Sequence, residues 1–159
     1  MSEIIQQQIA YYRSRSKEYD EWFYREGHYD QGEELNRKWT HEAQLVREQL
    51  LDAPISPSIL EMACGTGIWT QELIKIGETV TALDASVEMI EINKVKLNSD
   101  KVTYMQTNLF EWQPDQQYDM VFFGFWLSHV PDTELSKFLT KVYDALKPDG
   151  RLFFVDSQK

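Results

Sequence analysis

The spacing of apolar positions changes near residue 55. Before it, Ile5, Ile9, Tyr12, Tyr19 and Phe23 recur at helical intervals with Ser16 in the gap, and Leu35, Trp39, Ala43, Val46 and Leu50 form a second stripe. The pattern predicts two amphipathic helices, the first with an aromatic face. Gly27 and Gly32 punctuate the join between them, and Pro54 and Pro57 close the second. Beyond this point short apolar runs alternate with helical stripes. The expected elements are strand 58–63, helix 68–76, strand 79–83, helix 87–97, strand 102–106, strand 118–124, helix 133–146 and strand 151–156. Asp132 is the expected N-cap of the last helix and Gly150 the turn after it. Such alternation predicts a doubly wound α/β fold, with parallel strands and helical crossovers on both faces. The expected organisation is one domain, a helical segment at 1–52 and an α/β core at 56–159.

Composition narrows the function. A chain of 159 residues with 42% hydrophobic content has the size of one domain that buries about 70% of its unfolded surface. Its formal charge of -10 opposes docking onto a phosphate backbone, so a small-molecule partner is expected and nucleic acid is not. The start, Met1-Ser2-Glu3, lacks the basic residues and apolar core of a signal peptide, and the run from Met120 to Leu127 is too short to span a bilayer. A single cysteine provides neither an internal disulfide nor a Cys-rich metal site. The expectation is a cytoplasmic protein without a metal.

The chemistry concentrates in Ile59-Leu60-Glu61-Met62-Ala63-Cys64-Gly65-Thr66-Gly67, with Asp84 at the end of the next apolar run. Strand, glycine loop, helix, strand and acid in that order make a cradle for a nucleoside cofactor. Gly65 and Gly67 allow a sharp turn and close approach of the backbone, and a helix beginning near Ile68 presents free N–H groups. A carboxylate about 20 residues beyond the loop is placed for ribose hydroxyls. A dinucleotide-binding loop would want a third glycine where Thr70 stands, which ranks an NAD(P)-binding oxidoreductase last among the readings.

The run from Glu61 to Gly67 resembles the acidic-x-(Gly/Ala)-x-Gly-x-Gly motif of class I S-adenosylmethionine-dependent methyltransferases. Val80 to Ser86 resembles that family's second strand, Thr107-Asn108-Leu109 its adenine loop, Tyr118 to Phe123 its fourth strand and Leu146 to Asp156 its fifth. The resemblance covers the chain from about residue 56 onward. It implies S-adenosylmethionine as cofactor and S-adenosylhomocysteine as product. Glu61, Ala63, Cys64, Gly65 and Gly67 would surround the methionine part, and Asp84 the ribose. Ala85 and Met89 would flank the adenine, with Asn108 and Leu109 at its edge. Asn108 stands where relatives often carry aspartate, and its amide oxygen still accepts a hydrogen bond. Phe125 and Trp126 would lie near the sulfonium, where ring faces favour a cation. The amino-terminal segment would be a lid over the cofactor, with Tyr12, Tyr19 and Trp39 as candidates to touch it; simple packing is the alternative.

His129, in the segment after the fourth strand, is the candidate general base for an acceptor that must lose a proton; the other reading is that it only shapes the pocket. Cys64 has no evident basic partner and is expected to be inert. No Asn/Asp-Pro-Pro-Tyr/Phe signature of base-methylating enzymes follows the fourth strand, so a small metabolite is the expected acceptor. The family builds a sheet in the order 3-2-1-4-5-7-6. This chain reaches Lys159 just past the fifth strand, so five strands in the order 3-2-1-4-5 are expected. Residues 151–156 would then be an apolar edge open to a second copy or a partner chain. An active methyltransferase and a truncated cofactor-binding module both fit these residues.

Overall fold

The computed structural model describes residues 2–157. Five strands, β1 (Ser56–Met62), β2 (Gly77–Asp84), β3 (Val102–Gln106), β4 (Tyr118–Gly124) and β5 (Leu146–Val155), form one parallel sheet in the order β3-β2-β1-β4-β5. The helices are α1 (Glu3–Ser14), α2 (Tyr19–Tyr24), α3 (Glu33–Leu51), α4 (Thr70–Ile76), α5 (Val87–Leu97) and α6 (Asp132–Ala145). Alternate residues of the central strands feed opposite cores. Leu60, Met62, Val121 and Phe123 pack with Phe138, Val142 and Ala145 of α6. On the other face Ile59, Val80, Met120 and Phe122 pack with Leu73, Ile76, Leu50 and Phe23 from α4, α3 and α2. Strands buried on both faces read as nearly unbroken apolar runs, as β4 does.

Four local expectations need correction. The first aromatic stripe is not one helix. Around Ser14 and Ser16 the chain tightens into turns: Ser14 Oγ donates to the Tyr11 carbonyl (2.8 Å), Glu18 N donates to Arg15 O (2.9 Å), and α2 starts afresh at Tyr19. Serines that bond the backbone compete with helical continuation. Second, α4 starts at Thr70 and not near Ile68, and it runs straight into β2, which begins at Gly77 and not at 79. A Cβ at Gly77 would stand 2.8 Å from Ile59 Cδ1, so glycine permits this fusion. Third, the N-cap position of α6 is Pro131, with Asp132 in the first turn. Fourth, β5 begins at Leu146, not at 151, and the Gly150 turn lies inside it. The partners of Tyr118 and Met120 are Leu146 and Arg151, so Lys147–Gly150 bulges out of register.

The outer flank of the sheet is apolar. Leu152 and Phe154 on β5 are 40% and 48% exposed, beside exposed Leu139 and Tyr143 on α6. No helix among the described residues is long and apolar enough to cross a membrane.

Candidate cofactor cleft

The carboxyl ends of β1, β2 and β4 open into one cleft of about 680 Å³ counting its mouth. Ala63, Gly65, Asp84, Ala85, Met89, Asn108, Leu109 and Phe125 line it, together with Tyr19 from α2. Ile5, Gln8 and Ile9 of α1 cover one side. The backbone at the rim is bent out of ordinary conformations. Ala63 (φ 56°) and Phe125 (φ 54°), which end β1 and β4, are left-handed without being glycine, at a cost of about 1–3 kcal/mol each. Two of the four left-handed non-glycine residues among those described thus stand where the chain turns around the cleft; the others are Arg25 and Asn98, at the ends of α2 and α5.

Asp84 anchors the glycine loop. Its Oδ2 accepts from Gly65 N and its Oδ1 from Ser86 N, both at 2.9 Å. Ser86 in turn caps α5 by accepting from Met89 N. Burial pushes the Asp84 carboxyl above the usual carboxylate range, and N–H donors from Ser86, Gly65 and Ala85 pull it back. An ionised carboxylate has about four acceptor positions, so beyond these three N–H donors it keeps capacity for a hydroxyl donor in the cleft.

Glu61 does not reach the cleft. It is 2% exposed beneath the glycine loop, and its Oε2 accepts from Thr70 Oγ1 at 2.6 Å. Thr70 Oγ1 accepts from Asn93 Nδ2 (3.0 Å), which also donates to Gly65 O (3.2 Å), while Tyr104 donates to Asn93 Oδ1 (2.6 Å). This buried chain ties β1, the loop, α5 and β3 together. Burial raises the Glu61 pKa to about 8, with the charge of Asp84 adding to the rise and the Thr70 hydrogen bond opposing it. Gly67 and Cys64 also lie behind the lining. A Cβ at Gly67 (φ 97°) would meet Leu97 Cδ1 at 2.8 Å, so close packing of the loop on α5 requires glycine there. Cys64 is a buried free thiol packed on Ala82 and Ile90, and burial pushes its pKa well up, which leaves it un-ionised and inert.

His129 is not among the lining residues. It ends a 3₁₀ turn, Leu127–His129, and its carbonyl accepts from Gln8 Nε2 at 2.7 Å. That bond ties α1 to the segment after β4. A second tie runs from α2: Asp20 accepts from Thr66 Oγ1 in the glycine loop and pairs with Lys96 of α5 at 2.7 Å. Arg13 meets Glu88 at 3.4 Å. Trp39 donates to Phe23 O (2.7 Å) and packs on Phe125, outside the cleft lining. The side chain of Tyr12 lies outside the described residues.

The sequence reading passed over several of these residues. Thr70, Asn93 and Tyr104 form the support beneath the loop, and Lys141, 9% exposed, donates to the carbonyls of Leu109 and Phe110. Asn93 carried a usable signal, a polar residue on the inward stripe of α5 beside Met89 and Ile90. Gln8 Oε1 and Trp126 Nε1 are buried against the cleft with no hydrogen-bond partner among the described residues. Orphaned polar atoms at a cleft are satisfied by what enters it.

Comparison with known proteins agrees with this geometry. The model of the methyltransferase domain family matches residues 59–150. The chain is 35% identical over 102 residues to malonyl-[acyl-carrier protein] O-methyltransferase of Priestia megaterium, covering 61% of this chain and 35% of that protein. It is 33% identical over 100 residues to ubiquinone biosynthesis O-methyltransferase of Salmonella paratyphi A, covering 60% and 40%. The chain thus spans less than half the length of these curated relatives. The solved structure of a DhpI–SAH complex superposes with a TM-score of 0.86 at 38% identity, covering 98% of this chain and 70% of that one. Sheet order, glycine loop and sequence likeness together place the chain in the methyltransferase-domain family, among the class I S-adenosylmethionine-dependent methyltransferases.

Proposed function

We propose that the chain binds S-adenosylmethionine in this cleft and that its methyl group passes to a small-molecule acceptor. The carrying observation is the convergence of Asp84, Met89, Asn108 and Gly65 on one cleft at the carboxyl rim of the sheet. Asp84 takes a ribose hydroxyl on its remaining acceptor capacity. Met89 and Ala85 hold one face of the adenine, with Leu109 and Asn108 at its edge. Asn108 Oδ1 accepts from Phe110 N (3.0 Å), which sets the turn of that loop. Gly65 and Ala63 border the methionine part; Glu61, Cys64 and Gly67 act from behind by holding the loop. Phe125 presents a ring toward the sulfonium. Tyr19, Gln8 and Ile5 close the lid side, so the amino-terminal helices work as a cover. The bound cofactor supplies a methyl group on a positively charged sulfur. The chain aligns the acceptor and excludes water.

Calorimetric titration of S-adenosylmethionine and S-adenosylhomocysteine, with NADH as control, tests the cofactor. Binding of the first two alone supports the reading, and binding of NADH alone replaces it with the dinucleotide one. Binding without transfer to any of a broad acceptor panel would leave a cofactor-binding module. His129 is the proposed base, moving in from behind the cleft lining. His129→Ala should lower turnover by about 10²–10⁴. Unchanged turnover at saturating acceptor would remove that role.

For assembly, the same reading includes a second copy paired along the free edge of β5, whose flank is apolar. A light-scattering mass that doubles with concentration is expected; a constant monomer mass at high concentration excludes the pairing.

A further inference from the structure

A second cavity lies on the far side of Phe125 from the cofactor cleft, about 1120 Å³ counting its mouth. Its walls come from the aromatic cluster of α2 and α3 and from the ends of β4 and β5. Two donors in it have no acceptor. Arg25 follows α2 in a left-handed conformation (φ 56°), and its guanidinium lies 4.0 Å from the centroid of the Trp39 ring. No carboxylate pairs with it among the described residues, and burial, with nothing opposing it, pushes its pKa down. Trp69 is 6% exposed, and its Nε1 is buried without a partner among the described residues.

The other polar groups of the cavity are accounted for. Asp156 accepts from Ser128 N (2.8 Å) and from Ser128 Oγ (3.0 Å). Lys38 faces Glu42 at 4.0 Å, one helical turn away. Trp39 Nε1 is spent on Phe23 O. What remains is a cation over the Trp39 indole with no carboxylate bound to it, and a second indole in the lining, Trp69, whose buried N–H has no partner among the described residues. Two unused donors of this kind suit a ligand rich in oxygen. A planar guanidinium fork fits two oxygens of one group. Close contact also fixes the cavity wall: a Cβ at Gly124 would stand 2.9 Å from Trp69 Nε1, so glycine lets this indole reach the end of β4.

We propose that this cavity receives the acceptor and that the acceptor carries an oxyanion, carboxylate or phosphoryl, held by Arg25 and by Trp69 Nε1. Phe125, just past β4, borders both this cavity and the cofactor cleft, so an acceptor bound here would reach the transferable methyl past the edge of that ring. Calling the ligand an acceptor rests on the methyl-transfer reading; the oxyanion site itself does not.

The test is a tryptophan-fluorescence titration at constant ionic strength, with inorganic phosphate and with acetate against a chloride control. It is run on the free protein and on protein saturated with S-adenosylhomocysteine. A saturable response to one or both anions is expected, with phosphate and acetate separating the phosphoryl from the carboxylate source. Arg25→Gln should weaken it at least tenfold, and Arg25→Lys, which keeps the charge but loses the fork, by less. Both variants should bind S-adenosylhomocysteine within twofold of the parent, which shows that they are folded. No saturable response beyond chloride in the parent, or an unchanged response in Arg25→Gln, overturns the site. Anion binding through Arg25 in a protein that does not bind S-adenosylhomocysteine would keep the site and overturn its assignment to a methyl acceptor.

Discussion

Replacing Asp84 with alanine is expected to weaken S-adenosylhomocysteine binding about a hundredfold or more. Two effects add. The side chain offers the ribose a charge-assisted hydrogen bond, which is typically stronger than a neutral one, at about 1.5–3 kcal/mol. It also holds Gly65 N and Ser86 N, so its loss frees the glycine loop from the start of α5. Asn is no rescue, because one of the two N–H groups would then face an NH₂ donor. Calorimetry reads the affinity, and a melting curve confirms folding of the variant. An affinity within threefold of the parent would show that Asp84 serves the loop and not the ligand.

Glu61→Gln is expected to stabilise the ligand-free protein, and to do so more as pH rises. The folded-state pKa of Glu61, about 8, lies above the ordinary value of 4.5. Between those values the unfolded chain ionises while the folded one keeps its proton. Folded-state stability from this group is therefore complete below about pH 4.5, declines through the window and is lost above about pH 8. Glutamine fills the same space without titrating and still accepts from Thr70. The gap between variant and parent should be small at pH 5 and grow by roughly 3–4 kcal/mol by pH 8, at about 1.36 kcal/mol per unit. For a chain of this size that is on the order of 10 °C in melting temperature. Parallel stability curves across this range would mean that Glu61 is already ionised in the fold. Asp84 is present in both proteins, so its own titration largely cancels in the comparison.

The order of strands and the identity of most cleft residues were readable because they depend on local signals. Period changes mark the elements, parallel crossovers follow from their alternation, and a glycine loop after a strand points to the carboxyl rim. Asp84, Met89 and Asn108 are reached by counting along that rim. Glu61 was readable as a motif residue but not as a buried acid, because its partners come from α4 and α5. The Thr70–Asn93–Tyr104 chain was illegible for the same reason: buried polar contacts depend on how separate elements dock. Docking also decided the role of α1. Ile5 sits on a stripe that reads either as a lid or as simple packing, and Gln8 lies outside that stripe; the docking of α1 brings both over the cleft. Arg25 and Trp69 were hidden by their neighbours, since an aromatic stripe suggests core and says nothing about a cation laid upon it.

The ties that hold α1 and α2 have a consequence for timing. Gln8 to His129, Asp20 to Thr66 and Lys96, and Arg13 to Glu88 join the amino-terminal helices to the segments that bound the cleft. Under the proposed lid, which covers one side of the cleft, the exchange rate of product would follow how often these bonds break together. Two of the three include ion pairs near the surface, which dissolved salt screens. If the proposed lid and adenine site hold, added salt would speed exchange while leaving apolar contacts to the ring unchanged, so rate and equilibrium affinity would respond to ionic strength on separate scales.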